Sequence, residues 1–124
     1  MSTYIAIAIG GTLGCWARYA LTALIQSLAG RSFPTATLCI NVLGCFLMGY
    51  LLTLTLERVM MAPSVRTGLL TGGIGGFTTF STFGMETLVL LQQGAMGKAA
   101  LYVATSVVLG VSAAFIGFYL ARAF

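Results

Sequence analysis

Four long apolar runs, separated by short polar or turn-rich stretches, make up almost the whole chain. The runs cover about residues 3–28, 35–56, 65–91 and 98–121. Each exceeds the roughly 20 residues that an α-helix needs to cross the hydrocarbon core of a bilayer. The connections between them are too short to form a soluble domain. The pattern therefore predicts an all-α membrane protein, with four transmembrane helices in a single transmembrane domain over residues 1–124.

The composition agrees with this pattern. Of the 124 residues, 59% are apolar and only 6% are charged, and the mean hydropathy is +1.03. A soluble domain of this size typically carries charges on about a quarter of its residues. The net charge of +4 comes from scattered single residues, which argues against a nucleic-acid patch because such a patch needs clustered Lys and Arg. The sequence has no His, and nothing in it indicates an enzyme.

The distribution of positive charge only weakly favours one orientation of the chain in the membrane over the other. One side of the predicted bundle would carry Arg58, Arg66 and Arg122. The opposite side would carry Arg31 and Lys98, joined by Arg18 if that side chain snorkels outward. Since orientation follows the excess of Lys and Arg on one side, near equality permits insertion both ways. Two oppositely oriented copies can then pair as an antiparallel dimer. The alternative is that a small bias still selects one orientation.

The third run contains a stretch that is unusual for a transmembrane helix, Thr71-Gly-Gly-Ile-Gly-Gly-Phe-Thr-Thr-Phe-Ser-Thr-Phe-Gly-Met-Glu-Thr87. Its glycines lower helix propensity, and its hydroxyl side chains compete for backbone hydrogen bonds. We therefore expect the helix to break near residues 75–79. A break at this depth needs protein or water to satisfy the freed backbone groups. Freed carbonyls can coordinate a cation, and a half-helix N-terminus can face an anion. A phosphate loop is excluded because Gly-Lys-Ser/Thr is absent.

Two polar residues in the first and second runs have both a functional and a structural interpretation. Arg18 follows Gly10 and Gly14 at helical spacing, so it either snorkels to the interface or attracts anions into a water-filled vestibule. Asn41 shares a helical face with Thr37 and Gly44. Its amide either joins two helices or donates hydrogen bonds to a dehydrating anion.

Further candidates lie in the third and fourth runs. Phe80 and Phe83 project the same way, either as core packing or with their positive ring edges turned toward a small anion. Glu86 is an acid within a span, which marks a functional candidate unless it reaches the interface. Tyr102 and Ser106 offer hydroxyl donors one helical turn apart. The alternative for hydroxyls of this kind is a hydrogen bond to their own helix backbone.

Taken together, these residues resemble the Fluc family of small bacterial fluoride channels, also called the CrcB family. The resemblance extends over nearly the whole chain. It is carried by three blocks, Gly10-Gly-Thr-Leu-Gly-Cys-Trp-Ala-Arg-Tyr19, Thr37-Leu-Cys-Ile-Asn-Val-Leu-Gly44 and Thr71-Gly-Gly-Ile-Gly-Gly-Phe-Thr-Thr-Phe-Ser-Thr-Phe83 with Glu86. The third block is highly specific for a four-span protein of this length.

The resemblance implies a passive fluoride-selective channel in the bacterial inner membrane. It further implies an antiparallel, dual-topology homodimer with two pores, each drawing residues from both subunits. The third-span break would hold a structural sodium ion through the backbone carbonyls of Gly75 and Thr78. The residues that match the family's fluoride pathway are Arg18, Asn41, Phe80, Ser81, Thr82, Phe83, Glu86, Tyr102 and Ser106.

Two other functional classes can be distinguished from a fluoride channel. A small proton-coupled multidrug exporter is also short and four-spanned, but it requires a membrane carboxylate in the first span. The first run here has no acid, and Glu86 lies in the third. A non-transporting membrane scaffold would show no ion flux at all.

Overall fold

The computed structural model describes residues 2–124, and their regular structure is entirely helical. The all-α prediction is therefore confirmed. Five helices follow one another along the chain: α1 (Thr3–Ala29), α2 (Thr35–Glu57), α3 (residues 63–77), α4 (Phe80–Gln92) and α5 (Met96–Ala123). Helices α3 and α4 together occupy the third apolar run.

Three helical segments of the described chain are long and apolar enough to cross a membrane. They are Thr35–Glu57, Pro63–Gln92 and Met96–Ala123. The sequence predicted four such segments. Helix α1 has 27 residues and sufficient length, but Arg18 and Gln26 interrupt its apolar run and lower its hydropathy. Its assignment as the fourth span therefore stays a prediction.

Helices α2 and α5 form one tightly packed pair. A Cβ atom on Gly49 of α2 would overlap the backbone carbonyl of Ala114, and one on Gly117 of α5 would overlap the carbonyl of Phe46. The two backbones therefore approach as closely as glycine allows. Helices in lipid associate through small-residue faces of this kind.

Helix α1 packs along α3 in the same way. Cβ atoms on Gly10 and Gly14 would overlap the carbonyls of Gly68 and Gly73. The middle of α3, Gly68–Ile74, is a π-helix, a wider coil than the α-helix. This π-helix was not predicted from the sequence.

The third run is interrupted at Thr78 and Thr79, within the range predicted for the break. Both residues have extended backbone, with φ −80° and ψ 160° at Thr78 and φ −152° and ψ 112° at Thr79. Helix α4 begins at Phe80. The Thr79 hydroxyl caps it by accepting a hydrogen bond of 3.2 Å from the backbone N–H of Thr82.

The C-terminal half of α4 packs against the first half of α5 and places Tyr102 in a small core. Leu90, Ala99 and Tyr102 are the buried residues of this cluster. Phe33, from the connection between α1 and α2, and Phe83 pack against it. The Tyr102 side chain is 0% exposed. This arrangement brings the fourth apolar run next to the break.

The α2–α5 contact predicts a difference between two glycines of the same helix. Gly117→Ala should lower the thermal unfolding midpoint, because overpacking typically costs about 1–3 kcal/mol. Gly97→Ala should leave the midpoint unchanged or raise it, since no other helix lies within 4 Å of a Cβ at Gly97. Thermal unfolding of the purified protein in detergent measures both. Equal midpoints for the two variants would contradict the close packing.

Candidate functional site

Asn41 of α2 binds both backbone polar groups of Thr79 at the break. Its Nδ2 donates to the Thr79 carbonyl at 2.9 Å, and its Oδ1 accepts from the Thr79 N–H at 2.8 Å. The side-chain amide thus makes the hydrogen bonds that other backbone groups would make in a continuous helix. Unsatisfied backbone groups are costly in a membrane, so this pair explains how the interruption is tolerated. The structural interpretation of Asn41, an amide that joins two segments, is what the geometry shows.

The break removes the helical donors of four carbonyls, those of residues 75–78. In a continuous helix the N–H of Thr79 would donate to Gly75 and the N–H of Thr82 would donate to Thr78. Here the Thr79 N–H donates to Asn41, and the Thr82 N–H donates to the Thr79 hydroxyl. The carbonyl oxygens of Gly75 and Thr78 therefore lose the partners they would have had. Carbonyl oxygens are suitable ligands for hard cations.

Arg18 of α1 is directed at the end of α3. Its Nε donates to the Gly76 carbonyl at 3.1 Å. The Cys15 thiol contacts the same carbonyl at 3.6 Å. A cation beside the last carbonyls of a helix offsets their partial negative charge.

A polar groove of about 570 Å³ lies between α1, α2 and α4 beside the break. It brings together three of the predicted site residues, Arg18, Thr82 and Glu86. The other residues that line it are Cys15, Tyr19, Thr22, Gln26, Thr37, Ile40 and Thr79. The groove thus has a guanidinium, a carboxylate and several neutral donors on its walls.

Thr37 is a further candidate site residue, which was not predicted from the sequence. Its hydroxyl is buried and donates to the Glu86 carboxylate at 2.5 Å. This contact holds Glu86 of α4 against α2, and the Glu86 side chain is half-buried. The signal was present in the sequence, because Thr37 shares its helical face with Asn41.

Aromatic rings form a continuous series next to the break. The Phe83 ring lies between those of Phe80 and Tyr102, with centroid distances of 5.5 Å and 5.1 Å. Phe33 contacts Tyr102 from the other side at 5.7 Å, edge to face. These contacts agree with the interpretation of Phe83 as a residue that packs in the core. Phe80, in contrast, is 82% exposed on the single chain and has no such enclosure.

Tyr102 and Ser106 have buried hydroxyls without a hydrogen-bond partner among the described residues. The Tyr102 hydroxyl approaches Glu86 and Thr37 without the geometry of a hydrogen bond to either. Ser106 does not bond its own helix, whereas the neighbouring Thr105 donates to Leu101 in that way. Buried polar groups normally have a hydrogen-bond partner, so two unpaired hydroxyls on one helix face are candidate donors to a polar ligand.

The remaining predicted residues lie near the break but outside the groove. Ser81 is exposed, and its hydroxyl is 3.4 Å from that of Thr79. Gly75 is also exposed, while Thr78 is half-buried, with its methyl group against Gly44 of α2. No structural observation places an ion at any of these residues.

Comparison with known proteins identifies the family. The family model described as "CrcB-like protein, Camphor Resistance (CrcB)" matches residues 5–118. The chain belongs to the CrcB family. The matched range includes every candidate residue from Arg18 to Ser106.

Three CrcB relatives match over nearly their full length. A protein of Acidithiobacillus ferrooxidans named fluoride-specific ion channel FluC is 54% identical, over 98% of this chain and 97% of its own. Relatives with the same name from Thermus thermophilus and Geobacter sulfurreducens are 47% and 45% identical. The alignments cover 99% and 98% of this CrcB chain, and 98% of each relative. The proposed resemblance to the family is confirmed.

The Thr37–Glu86 contact predicts a difference between two substitutions at Thr37. Thr37→Val removes the hydroxyl while keeping the side-chain shape, so the thermal unfolding midpoint should fall. Hydrogen bonds to charged groups typically contribute about 1.5–3 kcal/mol. Thr37→Ser keeps the donor and should retain most of the wild-type midpoint. If the Ser variant were as destabilised as the Val variant, the hydrogen bond to Glu86 would have no role in stability.

Proposed function

We propose that this CrcB chain is a passive channel selective for fluoride, exporting the ion and so lowering its cytoplasmic concentration. The observation that carries the proposal is the near-complete alignment with relatives named fluoride-specific ion channel FluC. Membership of the family, residues 5–118, supports the same function. The protein is a membrane ion channel and not an enzyme.

The unpaired hydroxyls of Tyr102 and Ser106 suit the chemistry of a small anion. Fluoride is tightly hydrated, so a pore must replace its water with convergent donors that still release the ion. Two buried O–H groups one helical turn apart provide such donors. Chloride is larger and would fit the same donors poorly, so its dehydration would be less well offset.

Phe80 and Phe83 supply the weaker contacts of the proposed path. Aromatic rings carry partial positive charge at their edges, and an edge holds an anion without binding it strongly. Phe83 is oriented by its contact with Tyr102, which places an aromatic ring directly beside the buried hydroxyls. Ser81 and Thr82 follow Phe80 on α4 and extend the polar path.

Asn41 and Arg18 have donor capacity beyond their protein contacts. One Nδ2 hydrogen of Asn41 is used for the Thr79 carbonyl, and the second is available to the ion. Arg18 uses Nε for Gly76 and brings the rest of its guanidinium charge to the groove. In the proposed channel this charge attracts anions, while Thr37 holds the Glu86 carboxylate at the groove wall.

The functional unit in this proposal is an antiparallel, dual-topology homodimer of four-span subunits in the bacterial inner membrane. The near equality of positive charge on the two sides supports insertion in both orientations. The exposure of Phe80 supports a pore that a second copy completes. Helix α1 contributes the fourth span.

A structural sodium ion at the centre of this dimer would be held by the carbonyls of Gly75 and Thr78. These two oxygens fit a hard cation because the break has taken away their helical donors. The ion would supply positive charge that joins the broken segments of the two subunits. The exposure of Gly75 on the single chain agrees with a position facing a partner.

The multidrug-exporter alternative has no support. Helix α1 contains no acid, and Glu86 is bound to Thr37 in a different part of the bundle. None of the relatives described above is named as an exporter of drugs.

Efflux from liposomes tests the proposed function. Liposomes containing the protein and loaded with fluoride or chloride should release fluoride rapidly and retain chloride. Phe80→Ile removes an aromatic edge from the path and should reduce fluoride efflux by at least about tenfold, equivalent to roughly 1.4 kcal/mol. Crosslinking should show that the variant still forms a dimer. Chloride release at the fluoride rate would refute the selectivity, and unchanged efflux in the variant would remove Phe80 from the path.

A further inference from the structure

We propose that the connection between α2 and α3 forms a binding site for an anionic phospholipid. The site consists of residues 55–62 and Arg66, which line a pocket of about 590 Å³ at one end of the helix bundle. It lies far along α2 from the Asn41 contact and involves none of the residues assigned to the fluoride path. The proposal therefore does not depend on the channel function.

An ion pair neutralises the acidic residue that lines this pocket, Glu57. Arg122 of α5 binds Glu57 through two nitrogens, with Nη2 at 2.6 Å from Oε1 and Nε at 3.1 Å from Oε2. The Arg122 guanidinium also lies 4.2 Å from the centre of the Phe118 ring. Glu57 is the only acid in this part of the sequence, and Arg122 neutralises it.

Two arginines remain around the pocket with no acidic partner within residues 2–124, Arg58 and Arg66. Arg58 follows the last residue of α2, and its Nη2 donates to the Arg122 carbonyl. That contact holds the Arg58 side chain at the end of the bundle. Because a guanidinium has five N–H donors, most of them stay free to bind phosphate oxygens.

Apolar side chains stand directly beside these arginines. Leu56, Val59 and Met60 are 58%, 41% and 104% exposed, and all three line the pocket. The pocket lies at the connection between two segments that are long and apolar enough to cross a membrane, Thr35–Glu57 and Pro63–Gln92. An anionic phospholipid matches both parts, since its phosphate can bind the arginines and its acyl chain can cover the apolar side chains.

Native mass spectrometry of the purified full-length protein tests this site. Titration with phosphatidylglycerol should give an apparent Kd at least about tenfold lower than titration with phosphatidylcholine. Arg58→Gln and Arg66→Gln should each weaken phosphatidylglycerol binding by about fivefold, the effect expected for one basic residue at a membrane surface. The double variant should lose the preference for the anionic lipid.

Three controls keep the test decisive. Arg31→Gln, at the connection between α1 and α2, should leave phosphatidylglycerol binding unchanged. Arg58→Lys keeps the charge and should retain most of the preference, which separates loss of charge from misfolding. Inorganic phosphate at millimolar concentration should displace less than half of the bound lipid.

Three results would overturn the proposal. One is equal binding of the two lipids. Another is a loss in Arg31→Gln as large as that in Arg58→Gln, which would indicate a general charge effect. The third is full displacement by inorganic phosphate, which would make the pocket a site for the free anion. None of these readouts depends on fluoride efflux, so the test of the lipid site is independent of the test of the channel function.

Discussion

The bidentate contact between Asn41 and the backbone of Thr79 is the interaction on which the site depends. A helix that stops within a membrane leaves N–H and C=O groups that no lipid can satisfy. Here one side-chain amide satisfies both groups of the same residue. The extended residues Thr78 and Thr79 can therefore persist between α3 and α4, and α4 packs against α2 and α5.

Helix α2 contacts the interrupted segment along one face. Gly44 accommodates the methyl group of Thr78, Asn41 binds Thr79, and Thr37 holds Glu86. These three residues follow helical spacing, so a single rigid element positions the break and the polar end of α4 together. The tight packing of α2 on α5 then brings the unpaired hydroxyls of the fourth run to the same region. The proposed anion path is thus a consequence of one helix face.

Much of this arrangement could be predicted from the sequence, because the responsible residue types are rare in membrane helices. The glycines and hydroxyl residues predicted the break. The spacing of Phe80 and Phe83 predicted that both rings project to the same side of the helix. The direction of Arg18 was not predictable, since the Gly76 carbonyl it binds becomes available only once α3 ends. The π-helix at Gly68–Ile74, which packs against α1, was not predicted either. The identity of the ion came from resemblance to a family and then from named relatives.

The central claim is that Asn41 satisfies the Thr79 backbone at the break in the third span. Residue-resolved amide exchange, measured by NMR on the protein in a membrane mimetic, tests it most directly because Thr79 lines a polar groove that water can enter. We expect the Thr79 amide to be protected in the wild type and to exchange rapidly in Asn41→Leu, while Thr105 and its helix stay unchanged. A Thr79 amide that remains equally protected in Asn41→Leu would contradict the account.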